Sequence, residues 1–232
     1  MDLKKQNPLW NAMAEAGGGD VLKIYDISMM IHERMMIYKN DEAKRPHLTS
    51  VKKLPADTSN ESSITMNLHT GTHIDAHYHM DENGDTIEKL DLARLMTKCR
   101  VIDMTQVREG ISREDIKSLK IERGDFVLFK TANSFSEEFS AEFIYLKKSG
   151  AQFLAEQGVS GVGIDSLGIE RNQPNHETHK ALMDKDIIII EGLRLKDVPE
   201  DSYLMCALPL KIKGADGAPA RVVLLSEILK GE

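Results

Sequence analysis

Four of the eight histidines, His69, His73, His77 and His79, fall within residues 69–79, with Asp75 among them. Imidazole nitrogens and carboxylate oxygens are the usual ligands of zinc and related divalent ions, so the cluster reads first as a metal site. Spacing limits how such a site can be built. On a regular strand His69 and His73 would stand roughly 13 Å apart at about 3.3 Å per residue, too far for one ion. A helical turn would join positions i and i+4, but Thr70, Gly71, Thr72 and Ile74 are poor helix formers. The better solution is an irregular loop bent at Gly71, with the Thr70 or Thr72 hydroxyl bonding the backbone or a ligand.

The rest of the chain must supply a frame for that loop. Residues 21–27 read as a strand, and Met29, Met30, Met35 and Met36 beyond it as core or pocket lining. Residues 39–57 are polar and contain Pro46 and Pro55, which suits a surface loop followed by an edge segment. Strands are predicted at 101–104 and 126–130, separated by a helix that Ser112 and Asp115 can cap reciprocally. Over 140–157, Phe143, Leu146, Phe153 and Leu154 lie near helical spacing, and Gly158 is placed to end that helix before a strand at 161–164. A further helix over 176–183 follows Pro174. The four isoleucines at 187–190 suit a strand buried on both faces. Two closing strands, 204–212 and 221–225, are joined by a turn over 214–219. Strands outnumber helices, yet helices intervene regularly, so the class is α/β with a mixed sheet.

At 232 residues the chain is long enough for one sizeable core, and residues 21–232 are read as a single domain preceded by an N-terminal arm, 1–20, that ends in three glycines. A composition of 41% hydrophobic and 29% charged residues fits neither a membrane protein nor a disordered one. A net charge of -7 without a basic cluster argues against nucleic acid as a partner. Cys99 and Cys206 read as two buried thiols in strands. With no apolar run of signal-peptide or membrane-spanning length, the expected location is the reduced cytoplasm.

The run at 68–79, LHTGTHIDAHYH, resembles the His-x-Gly-Thr-His-x-Asp-x-Pro-x-His signature of the metal-dependent cyclase-like hydrolases, which include the bacterial kynurenine formamidases. The resemblance continues in Tyr25, Asp26, Ile27 and Ser28, in Lys130 and Thr131, and in Gly163, Ile164, Asp165 and Ser166. It also covers HKALMDKDIIIIEGL from His179 and ALPLKIKGADGAPAR from Ala207, so it runs over about 21–225. It implies a swivelling β/β/α fold, homodimers or homotetramers, and two divalent ions, zinc or manganese. His69, His73 and Asp75 would hold one ion, with Asp75 able to bridge to a second held by His179 and Glu191. A histidine on a helix and a carboxylate leaving the next strand, joined by a turn at 184–186, would suit that second group.

The implied activity is hydrolysis of the C–N bond of a small amide, as in an arylformamidase. His79, with an ordinary pKa of about 6.5, can exchange a proton with water and leaving amine near neutral pH. An ion would lower the pKa of bound water to roughly 7 and so supply hydroxide. Alternatively, His79 is a third ligand or a hydrogen-bond donor to one. Two rival functions share these residues: opening of a cyclic amide or lactone such as isatin, and metal-dependent ligand binding without turnover.

The chain departs from the family at His77, which stands in place of proline and adds a nitrogen beside the site. It departs again at Lys39, Asn40 and Asp41, where a Pro-Gly turn is usual near Tyr38. Tyr38, Met35 and Met36 could wall a substrate pocket or be ordinary core. Thr72, Asp165 and Ser166 are candidates for substrate contact or support, with turn capping as the competing role of the last two. His176 reads as a supporting or surface residue of the same helix as His179.

Overall fold

Continuous apolar runs build the central strands of the computed structural model, which describes residues 23–226. In chain order the strands are β1 (Ile24–Asp26), β2 (His47–Lys52), β3 (Glu61–Thr65), β4 (His73–Asp75), β5 (Met96–Asp103) and β6 (Gly110–Ile111). They continue with β7 (Phe126–Lys130), β8 (Tyr145–Leu146), β9 (Gly161–Ile164), β10 (Ile188–Glu191), β11 (Asp201–Pro209) and β12 (Gly217–Ser226). Three α-helices intervene: α1 (Arg113–Ile116), α2 (Lys148–Gln157) and α3 (Glu177–Met183). The arm at 1–20 lies outside the described residues.

The main sheet has the order β1-β12-β11-β5-β7-β9-β10-β4, and β4 also pairs with β12. That extra pairing closes the sheet into a barrel-like ring. It is possible because β12 is long: Val223 to Leu225 pair with β1, while Gly217 to Pro219 pair with β4 on the same edge. β5, β7, β9 and β10 run parallel, and the remaining pairs are antiparallel. The mixed α/β class expected from the pattern is therefore present, with the sheet closed.

Two cores use opposite faces of the same strands. Phe126 and Leu128 of β7 join Ile188 and Ile190 of β10 in one core, while Val127, Phe129, Ile187 and Ile189 pack in the other with Leu154 of α2 and Leu182 of α3. The isoleucine run is thus buried on both faces, as expected, each side chain contributing about 1.5–3 kcal/mol by burial.

Several boundaries differ from the sequence reading. The helix expected over 140–157 starts only at Lys148, because β8 first pairs in parallel with β6, leaving Phe143 and Leu146 buried from extended and turn backbone. Its end is as expected, with Gly158 left-handed at φ 73° and accepting the chain reversal. The helix between 104 and 126 is a single turn, α1, carrying the reciprocal cap of Ser112 and Asp115. The turn expected over 214–219 is shorter, since Gly217 onward is already strand. β2 and β3 form an exposed hairpin where a loop and edge segment were expected. Met29 and Met35 pack with Ile37 in a small satellite core, whereas Met30 is exposed. Cys99 is buried but Cys206 only partly so, and both are free thiols. Among the described residues no helix is long and apolar enough to cross a membrane.

Candidate metal centre

The bend at Gly71 has φ 77°, a left-handed backbone that glycine adopts without a side-chain penalty. Two threonines hold the loop around it. The Thr70 hydroxyl donates to the Lys44 carbonyl at 2.8 Å, and the buried Thr72 hydroxyl donates to the Gly192 carbonyl at 2.6 Å while accepting from the Met29 amide. Thr72 thereby ties the entrance of β4 to the end of β10, with its hydroxyl committed to backbone. The chain then enters β4, whose His73 lies opposite Glu191 in the antiparallel register. The pairing brings one imidazole and one carboxylate together from positions far apart in sequence.

Among the described residues the donor atoms converge in four groups: two are built on Asp75, and the others are His69, His79 and Asp216, and Glu170, His176 and His179. His69, His73 and Asp75 place their ligand atoms within 4.8 Å of one another, and so do Asp75, His179 and Glu191. Asp75 belongs to both. His69 Nδ1 lies 2.9 Å from Asp75 Oδ1, and His73 Nε2 lies 3.3 Å from Glu191 Oε2. His179 Nε2 stands 3.5 Å from both Asp75 Oδ2 and Glu191 Oε1. His179 comes from α3 and Glu191 from the end of β10, connected by the turn at 184–186.

His73 Nε2, both carboxylate oxygens of Asp75 and His179 Nδ1 are buried without an aligned hydrogen-bond partner. An unsatisfied buried polar atom costs roughly 1–3 kcal/mol, more if charged. His179 Nδ1 is turned to Glu170, but His73 Nε2 and the two Asp75 oxygens face one another and call for a common partner. A divalent cation fits that need: it accepts lone pairs from nitrogen and oxygen together and neutralises two adjacent carboxylates.

The electrostatics have the same origin. Burial opposes charge on His69, but Asp75 and Asp216 raise its pKa to about 9. His179 is likewise raised well above its ordinary value, against burial, by Asp75, Glu170 and Glu191. Burial and the charge of Asp75 push Glu191 upward, yet His179 and His73 bring it to about 2. Asp75 is held well below the carboxylate range by His179 and His69 despite complete burial.

The other expected residues separate into those near the cluster and those away from it. His79 belongs to the neighbourhood: its ring lies 4.1 Å from that of His69 and 5.8 Å from that of His179, and burial lowers its pKa from 6.5. His77 is in the same 3₁₀ turn but faces Asp186, 3.5 Å away, and takes part in none of the donor groups. Tyr38 stands close enough for Glu191 and Glu170 to join burial in raising its hydroxyl pKa, and it packs edge-on against Phe139 and Phe143. Asp165 is consumed by structure, accepting from the Thr131 and Ser134 amides and hydroxyls. The Ser166 hydroxyl donates to the Gly168 carbonyl. Neither is in a donor group.

Two acidic residues were not singled out from sequence. Glu170 lies 2.9 Å from His179 Nδ1, pairs with His176, and accepts the Thr178 amide at the start of α3. Asp216 Oδ2 lies 2.9 Å from His69 Nε2 and 3.5 Å from His79 Nδ1. Asp216 sits inside the family-like run from Ala207, and Glu170 lies shortly after Ser166, but nothing local marks either as facing a histidine.

Comparison with known proteins agrees with this architecture. Residues 25–171 match the family described as Putative cyclase. Cyclase-like protein 3 of Arabidopsis thaliana is 34% identical over 216 residues, covering 88% of this chain and 79% of that protein. A kynurenine formamidase of Salinibacter ruber is 31% identical over 206 residues, covering 88% and 97%. A solved structure described as a potential metal-dependent hydrolase with cyclase activity superposes with a TM-score of 0.83 at 50% identity, covering 88% of this chain and 98% of that one. The bent histidine loop, the closed mixed sheet and these relatives lead to one assignment: the chain belongs to the Putative cyclase family of metal-dependent hydrolases.

Proposed function

We propose that this protein hydrolyses the C–N bond of a small amide, in the manner of an arylformamidase, with His79 as general acid and base. Two divalent ions, zinc or manganese, are held in this reading by His69, His73 and Asp75 and by Asp75, His179 and Glu191. The observation that carries it is the sharing between two donor groups of Asp75, both of whose buried carboxylate oxygens lack a hydrogen-bond partner. An ion bound there supplies Lewis-acid polarisation of the carbonyl and an acidified water.

The chain's own residues do the rest. His79, kept neutral by burial, takes the proton from the attacking water and returns it to the leaving nitrogen. Tyr38, with Phe139 and Phe143, offers an aromatic wall to an aryl substituent. The kinship with a kynurenine formamidase supports an aryl formamide as substrate class. The reading includes the swivelling β/β/α description of the family, a cytoplasmic setting and assembly as a homodimer or homotetramer.

The test is chelation followed by zinc or manganese, with a panel of aryl formamides, lactams such as isatin, and lactones. Activity on formamides should vanish with the metal and return with it. His79→Ala should lower kcat by about 10²- to 10⁴-fold while the protein keeps its metal. Turnover confined to cyclic substrates would reassign the protein to ring opening. Metal binding with no turnover on any substrate would leave a ligand-binding protein.

A further inference from the structure

Asp216 reaches the site from an element that contributes none of the proposed ligands. It immediately precedes β12, and the chain can pass so close to the histidine loop because Gly217 has no side chain. A Cβ at Gly217 would lie 2.9 Å from His69 Cε1 and 2.9 Å from the Ile74 carbonyl. The residue before it is thereby set against the outer nitrogens of two imidazoles at once. Asp216 Oδ2 accepts from His69 Nε2 at 2.9 Å and stands 3.5 Å from His79 Nδ1.

We infer that Asp216 is the positioning residue that sets the tautomers of His69 and His79 together, and so couples metal loading to the orientation of the general base. The inference rests on the metal-hydrolase reading and deepens it. A neutral imidazole carries one proton, and the nitrogen facing a carboxylate keeps it. With Nε2–H turned to Asp216, His69 presents the lone pair of Nδ1, the atom 2.9 Å from Asp75, to the donor group. With Nδ1–H turned to the same oxygen, His79 leaves Nε2 unprotonated and free to take a proton. The closely spaced rings of His69 and His79, tilted by 33° with centroids 4.1 Å apart, let one carboxylate oxygen serve both. Asp216 touches neither His73 nor Glu191 in any ion pair or hydrogen bond among the described residues, so its effect passes through the two histidines alone.

The experiment compares wild type, Asp216→Asn, Asp216→Ala and Asp216→Glu. Zinc affinity and stoichiometry are read by competition with a chromophoric chelator, histidine tautomers by long-range ¹H–¹⁵N correlation on the zinc-loaded protein, and kcat and KM on an aryl formamide. Asp216→Asn and Asp216→Ala should bind zinc about 10- to 100-fold more weakly, the usual cost of losing a carboxylate behind a ligand histidine, with stoichiometry unchanged. At saturating zinc kcat should still fall while KM holds, and the His79 Nδ1–H signal should be lost. Asp216→Glu should restore part of both effects, which a purely structural role would not. Unchanged affinity and tautomers in a folded Asp216→Ala protein would overturn the proposal. Loss of one zinc equivalent would also overturn it, by making Asp216 a ligand. The affinity and tautomer readings do not require turnover, so a wild type inactive on the panel would sink the functional reading and leave this one testable.

Discussion

Asp75 is the side chain that the two groups proposed to hold metal share, and in the proposed mechanism His79 is the one whose protonation bears most directly on turnover. Burial lowers the His79 pKa from 6.5, and the positive charges of His69 and His179 act in the same direction, against Asp75 and Glu191. Bound cations would reinforce the lowering, because like charge disfavours imidazolium. A base must be unprotonated to accept a proton. The acid limb of kcat/KM is therefore expected to have a midpoint below 6.5, with activity lost as pH falls through it. Replacement of His79 by alanine should remove that limb from the residual activity. A midpoint above 6.5 would mean that another group carries the limb. His77, two residues before His79 in the same turn, faces away because positions i and i+2 of a 3₁₀ turn diverge by about 120° around the axis.

The elements that place these residues meet at one crossing of backbone. Gly192 leaves β10 with φ 69°, and a Cβ added there would sit 2.3 Å from the Gly71 carbonyl oxygen. Its own carbonyl accepts the Thr72 hydroxyl, so the bend at Gly71 and the end of β10 are fastened to each other. Gly192→Ala is expected to destabilise the fold by about 1–3 kcal/mol from backbone conformation alone, and more from the close contact. Because the same crossing holds His73 opposite Glu191, zinc affinity should fall with the melting temperature. A folded variant that melts lower yet binds zinc as wild type would show that the crossing supports the sheet without setting the donor geometry. The threonine hydroxyls at this crossing were legible from the loop's composition, and so was the glycine bend. That Gly192 is their partner was not, since it lies 120 residues from Thr72.

At the scale of the whole molecule, the proposed metal site predicts that ions and protons compete for the same buried groups. In the metal-free protein His69, raised to about 9, and His179, raised well above its ordinary value, carry protons at pH 7.5. Ligand imidazoles must be neutral, so uptake of the ions should release about two protons, measurable by calorimetry in buffers of different ionisation enthalpy. The sign of the stability effect follows from the raised pKa. The contribution from the His69 ion pairs is full below its unfolded value of about 6.5 and is lost as pH rises through about 9. The chelated protein should thus melt progressively lower between those pH values. The metal-loaded protein should show the opposite trend in metal affinity, so the gap between the two melting temperatures widens. A gap that stays constant from pH 6.5 to 9 would argue that the histidines do not exchange protons for metal.

Local chemistry in the chain was enough to single out the clustered histidines and Asp75 as candidate ligands, and to identify the bend at Gly71, the helix stop at Gly158 and the doubly buried isoleucine strand. Each follows from side-chain preferences acting over a few residues. The family-like motifs likewise named His179 and Glu191 without locating them in space. Only the tertiary structure decided that β12 pairs on one edge with both β1 and β4, closing the sheet, and that β4 pairs with β10 so that His73 faces Glu191. The direction of His77 away from the cluster, and the arrival of Asp216 and Glu170 behind the histidines, were decided at the same level. Such contacts depend on strand register and chain crossing between distant segments, for which a single sequence carries no periodic or compositional signal.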